Sequence, residues 1–219
     1  MSIESEFQIV AEMICQEDYP AVRQMMDDTV ELDFESFSEK YADWVEYVLN
    51  HPDNTVGLVE WSEWVFRQLQ PEIYFWTFAE KNGRYYLDNE NGADKIVERI
   101  ENLLAEHWNK QWKWSVEEFE RQIELSRLKS WEYRRVLNKA IDRSLQRIGF
   151  RLVFCEPFGI DGYTVLPSAM FERIDRLRWQ GTQIYGTDFR SPTGCLGILL
   201  WPLIKHESRY CKQLLKQFD

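Results

Sequence analysis

DDTVELDFESFSEKYADWVEYVLNHPDNTVGLVEWSE, residues 27–63, is the stretch around which the rest of the chain is read. It holds eleven carboxylates (Asp27, Asp28, Glu31, Asp33, Glu35, Glu39, Asp43, Glu46, Asp53, Glu60 and Glu63) against one cation, Lys40. Its middle has helical period: Phe34, Phe37, Tyr41, Trp44 and Val48 recur at three and four residues and form one apolar stripe. Asp33 suits an N-cap, and Ser36 with Glu39 has capping-box spacing, so either can mark the start. Glu35, Glu39, Asp43 and Glu46 follow the same spacing on another face. Like charges so placed repel by roughly 0.2–0.5 kcal/mol per pair. A solvated helix face accounts for such a row, and a basic partner is the alternative that would offset its cost.

Upstream, Ser2 to Cys15 reads as a helix, and Pro20 opens a second, short one ending near Asp27. The acidic helix stops before His51-Pro52. A further helix, capped by Asp53 or Asn54, follows with Trp61, Trp64, Val65 and Leu69 at helical spacing, and Pro71 closes it. From 72 to 87 the β-formers Ile73, Tyr74, Phe75, Trp76 and Phe78, then Asn82-Gly83, predict a hairpin, with a helix through Ala79 as the rival reading. Asp94 to Trp108 is amphipathic, and Ser115 with Glu118 opens another helix. Glu132 to Ile148 puts Val136, Leu137, Ala140, Ile141, Leu145 and Ile148 inward and Arg135, Lys139, Arg143 and Arg147 outward, with Gly149 as terminator. Beyond it, 150–155 and 163–166 read as two strands, 168–179 as a helix, 183–185 as a third strand and 204–218 as a closing helix. The fold class is therefore α+β and mainly helical, with a hairpin near 72–87 and a small antiparallel sheet plus helix in the C-terminal third. One domain over 1–219 is expected, with a soft boundary near 149 between a helical 1–148 and a hairpin–helix 149–219.

The chain has 219 residues, 44% hydrophobic and 15% aromatic, enough to bury a sizeable core. Its net charge of −11 argues against nucleic acid and against anionic membranes as partners. Residues 1–110 carry −16 and residues 111–219 carry +5. The basic row at 135–147 thus reads as a solvated or intramolecular face. Four scattered cysteines, no paired C-x-x-C and no secretory signal point to a reduced, cytoplasmic protein. The longest apolar run, Cys195 to Ile204, is too short to span a membrane.

Catalytic signals are weak. His51, His107 and His206 stand outside any metal-binding frame, and Cys195 in SPTGCLG lacks an identifiable base. The glycines match neither a dinucleotide fingerprint nor a phosphate loop, so no cofactor is expected. A hydrolase or nucleotide-handling enzyme would need a carboxylate metal site assembled in the fold. The sequence leans away from an enzyme. Glu35, Glu39, Asp43 and Glu46, with Trp44, Trp61 and Trp64 as aromatic anchors, are the candidate partner-binding residues.

From Gly149 the chain runs GFRLVFCEPFGIDGYTVLPSAMFERI. With the acidic, tryptophan-rich character of the whole, this resembles the immunity proteins of bacterial polymorphic-toxin systems. The resemblance implies a protein that binds and blocks a toxin domain, often a nuclease, and it transfers no functional residue. The expectation is an acidic protein-binding module that neutralises a basic toxin domain by occlusion.

Overall fold

Asp33 settles where the acidic helix begins. Its carboxylate accepts the Ser36 N–H at 2.8 Å, and the backbone at this cap is extended (φ −74°, ψ 169°). The structure, a computed structural model, describes residues 3–50, 61–68, 71–87, 92–155, 162–174, 178–179, 182–186 and 208–218. The chain is α+β and mainly helical, and it divides into two compact units, Met1–Asn89 and Glu90–Asp219. The division falls at 89/90. Gly149, near which the sequence suggests a boundary, lies inside the second unit as the left-handed turn (φ +83°) between a helix and a strand.

The first unit contains α1 (Ile3–Cys15), α2 (Tyr19–Glu31), α3 (Phe34–Lys40), α4 (Ala42–Asn50), α5 (Glu63–Gln68), α6 (Pro71–Lys81) and a two-residue strand, β1 (Tyr86–Leu87). The acidic helix is two helices. Tyr41 leaves helical geometry (φ −114°, ψ 33°), and α4 starts at the next residue. The break lies where Lys40 and Tyr41 both turn to Asp28 on α2.

The first strand of the hairpin expected at 72–87 is instead the helix α6, the rival reading, and only Tyr86–Leu87 of that segment is a strand. Pro71 takes the first position of α6, and Tyr74, Phe75, Trp76, Thr77 and Ala79 are all buried. A helix apolar all round is one buried all round. Packing against α1, α2 and α4 outweighs the modest β-preference of the aromatic residues. Asn82-Gly83 terminates this helix instead of turning a hairpin. Gly83 is left-handed (φ +65°), its N–H bonds Glu80 O at 3.0 Å and the Arg84 N–H bonds Ala79 O at 2.8 Å. Those two bonds form a Schellman cap. The buried Arg84 then pairs with Glu17 and Asp18 at 2.8 and 2.7 Å, fixing the end of α6 to the α1–α2 joint.

The second unit contains α7 (Ala93–Trp108), α8 (Val116–Arg121), α9 (Ser130–Gln146), β2 (Phe150–Cys155), β3 (Gly162–Pro167), α10 (Ser168–Ile174), β4 (Arg178–Trp179), β5 (Thr182–Gly186) and α11 (Arg209–Gln217). β2 pairs antiparallel with β3 from Phe150↔Pro167 to Cys155↔Gly162, and antiparallel with β5 on its other side; β5 pairs with β4. Arg178–Trp179, expected to end a helix, is therefore a strand. α9 and α10 pack on β2 and α7 packs on β3, so both central strands are buried almost end to end and show no period-2 polarity. Ile148, expected inward, lies past the last turn of α9 and is exposed.

Two buried carboxylates tie this unit together. Asp142 accepts the Leu152 N–H at 2.8 Å, Gln146 Nε2 at 2.9 Å, and both Nε (3.1 Å) and Nη2 (3.0 Å) of Arg151. Glu132 accepts the Lys129 N–H at 3.0 Å and the Ser208 N–H at 2.6 Å, joining α9 to the start of α11. Burial alone would raise Glu132. The two amide donors outweigh it and hold the carboxyl below its ordinary 4.5.

Candidate functional site

The apolar stripe of α3 and α4 meets α2, α5 and α6 in one cluster of Met25, Phe37, Trp44, Val48, Val65, Phe66 and Tyr74. Phe37 is its centre, with ring centroids 5.0 Å from Phe66, 5.6 Å from Tyr74 and 4.7 Å from Tyr41. With one side of these two short helices filled by aromatic rings, their carboxylates are left on the opposite side. Glu35, Glu39, Asp43 and Glu46 are all exposed, and none makes an ion pair among the described residues.

The other acids of the stretch are mostly engaged. Asp27 pairs with Arg23 at 3.1 Å, Glu63 with Arg67 at 2.5 Å, and Asp33 caps α3. Asp53 and Glu60 lie outside the described residues. Asp28 is the interior one, 3% exposed: it takes Lys40, the Tyr41 hydroxyl at 2.6 Å and Gln24 Nε2 at 2.9 Å. The lone cation of the stretch is thus paired with Asp28 and makes no ion pair with the outer acids among the described residues. The first unit holds 19 acidic and 5 basic side chains, a charge of −14; the second holds 18 and 21, or +3.

The Lys40 bond first, then that of Tyr41, holds the Asp28 carboxyl below its ordinary 3.8. A depressed carboxylate stabilises the fold above its unfolded pKa, and the contribution is lost as pH falls through the folded value. Asp28→Asn is expected to cost about 1.5–3 kcal/mol at pH 7, the scale of hydrogen bonds to a charged group. Urea melts should show the gap to the parent protein closing below pH 3.8. A gap that shows no narrowing as pH is lowered below 3.8 would show that the charge is not what stabilises.

The three candidate anchors separate. Trp44 is core, 3% exposed, with Nε1–H donated to Thr77 Oγ1 at 3.0 Å, and it is not available to a partner. Trp61 is half-buried over the same cluster, 5.6 Å from the Trp44 ring and 6.0 Å from Phe66, with Nε1–H on Ser38 Oγ at 2.7 Å. Trp64 is 72% exposed, on the outer side of α5, whose Val65 and Phe66 face inward. Sequence reasoning missed Val30, which is 85% exposed. Ending the second helix near Asp27 hides it. Carried on to Glu31, the inward positions Val22, Met25 and Asp28 leave Val30 outside.

Cys15, Cys155 and Cys211 are buried free thiols; burial raises all three, Cys15 to about 12, away from nucleophilic character. Cys195, His51 and His206 lie outside the described residues. Among the described residues, no group of three or more His, Cys, Asp or Glu is placed to hold a metal, and no helix is long and apolar enough to cross a membrane. The basic row of α9 divides. Four-residue steps drift about 40° each, so Arg135 and Arg147 stand about 120° apart around the axis. Arg135 and Lys139 are half-buried and engaged, whereas Arg143 and Arg147 are exposed. In comparisons with known families, with curated proteins and with solved structures, the chain matches none.

Proposed function

We propose that the chain is a cytoplasmic protein-binding module, an immunity protein that neutralises a basic toxin domain by occluding it. The observation that carries this reading is the outer face of α3 and α4. Glu35, Glu39, Asp43 and Glu46 stand on it exposed and unpaired among the described residues, in a unit of charge −14 whose Lys40 is turned to the buried Asp28. Such a face steers a basic partner electrostatically and raises the encounter rate. The exposed Trp64 of the same unit supplies the aromatic residue type that dominates interface energetics when it enters a partner pocket. Self-repulsion among the acids, roughly 0.2–0.5 kcal/mol per pair at helical spacing, is relieved when cations dock. Occlusion needs no bond making and no cofactor.

The test is co-expression in bacteria with the product of the gene next to this one. The expected result is that the neighbour alone arrests growth, that this chain relieves the arrest, and that relief fails when Glu39, Asp43 and Glu46 are replaced by lysine. A neighbour without toxicity, or an arrest that this chain does not relieve, contradicts the proposal.

A further inference from the structure

The second unit holds a cleft that the acidic face does not use. It encloses about 220 Å³ between α8, α9 and the residue after α11. The buried Phe119 lines it, with the Trp114 ring 5.3 Å away and the Phe218 ring 6.0 Å away. Arg143 and Arg147, one turn apart at the end of α9, line it as well. Both are exposed, and neither makes an ion pair among the described residues. Glu118 is the one carboxylate in the lining, likewise exposed and unpaired among them.

The geometry points to a binding site for a small aromatic anion, a single ring carrying one carboxylate or phosphate group. Two guanidinium groups four residues apart repel each other, and one anionic head between them relieves that while accepting paired N–H bonds from either fork. The rings of Trp114, Phe119 and Phe218 offer an apolar wall on which a flat body stacks or packs edge-on. The cleft volume is below the usual range of about 300–1,000 Å³ for larger ligands, which sets the limit at one ring. Glu118 at the lining disfavours a second negative group, so a ligand with one anionic head is preferred. This site stands independently of the partner-binding reading, since it uses no residue of the first unit.

The test is titration of the full chain with phenylacetate and with phenyl phosphate, read by calorimetry and by saturation transfer to the ligand protons. Phenylacetamide and acetate are the controls that lack the charge and the ring. Expected is saturable millimolar or tighter binding of at least one acid, weakening with added salt, with both controls at least tenfold weaker. Which acid binds tells carboxylate from phosphate. Arg143→Gln with Arg147→Gln should weaken binding at least tenfold while thermal unfolding stays put, because both side chains are exposed. Equal binding of phenylacetamide, undiminished binding by the double variant, or no binding of either acid at ten millimolar would overturn the assignment.

Discussion

Replacing Asp142 by alanine is expected to destabilise the protein by about 3–5 kcal/mol, the scale of removing one partner from a buried ion pair. The magnitude comes from the groups left behind. Asp142 is 1% exposed and its two oxygens serve Leu152 N–H, Gln146 Nε2 and the Arg151 guanidinium. Without them a buried backbone N–H has no acceptor, and Arg151, only 20% exposed at its side chain, has lost its counter-charge. Part of the guanidinium's environment survives, since it also stacks over the Phe171 ring at 4.8 Å. The loss corresponds to an apparent midpoint lower by roughly 10 °C for a chain of this size. Asp142→Asn should lie between the two, because the amide oxygen can still accept one N–H. Thermal unfolding followed by far-ultraviolet circular dichroism measures both variants. A midpoint for the alanine variant equal to that of the parent would show that the α9–β2 junction is held by packing alone.

Asp142 also illustrates how far a sequence can be read. The inward positions of its helix, Val136, Leu137, Ala140, Ile141 and Leu145, are legible from period alone, and Asp142 lies at the edge of that arc. Its partner Arg151 comes into reach only because the chain reverses at Gly149, and the reversal is legible too. Joining the two observations identifies a buried ion pair, but only once the strand is known to pack on that helix. The 72–87 segment misleads for a different reason. Asn-Gly serves a hairpin turn and a helix C-cap equally well, since both need a residue at positive φ. An aromatic run satisfies a strand or a helix buried all round, and tertiary packing decides between them.

The candidate site is legible as charge and not as geometry. Spacing places Glu35, Glu39, Asp43 and Glu46 opposite the apolar stripe, and all four are exposed. The break at Tyr41 is invisible in the sequence, because it depends on Asp28 drawing in Lys40 and Tyr41 from twelve and thirteen residues away. The tryptophans cannot be sorted by spacing for a related reason. A helix capped at Asp53 or Asn54 phases Trp61 and Trp64 together, whereas the described helix begins at Glu63. Trp61 therefore precedes it and lies over the core cluster, and Trp64 turns out to solvent.

The second large effect is kinetic. Reversing Glu39, Asp43 and Glu46 to lysine inverts the charge of the face without touching the aromatic cluster beneath. Steering by a charged face raises association rates by about 10–10³-fold, so the triple reversal should slow association at least tenfold at low salt. The deficit should shrink as ionic strength rises, because exposed charges are screened beyond about 8 Å at physiological salt. Dissociation should change less, since rim charges act chiefly on encounter. Trp64→Ala should do the reverse, speeding dissociation while leaving association and the free protein's stability nearly unchanged, as expected of an exposed anchor. The deciding measurement is the association rate of the purified neighbouring-gene product with the parent protein and the triple reversal, from about 20 mM to about 500 mM salt. A tenfold or greater loss at the low-salt end that closes toward the high-salt end is the predicted result; equal association rates at low salt would contradict a basic partner docking on this face.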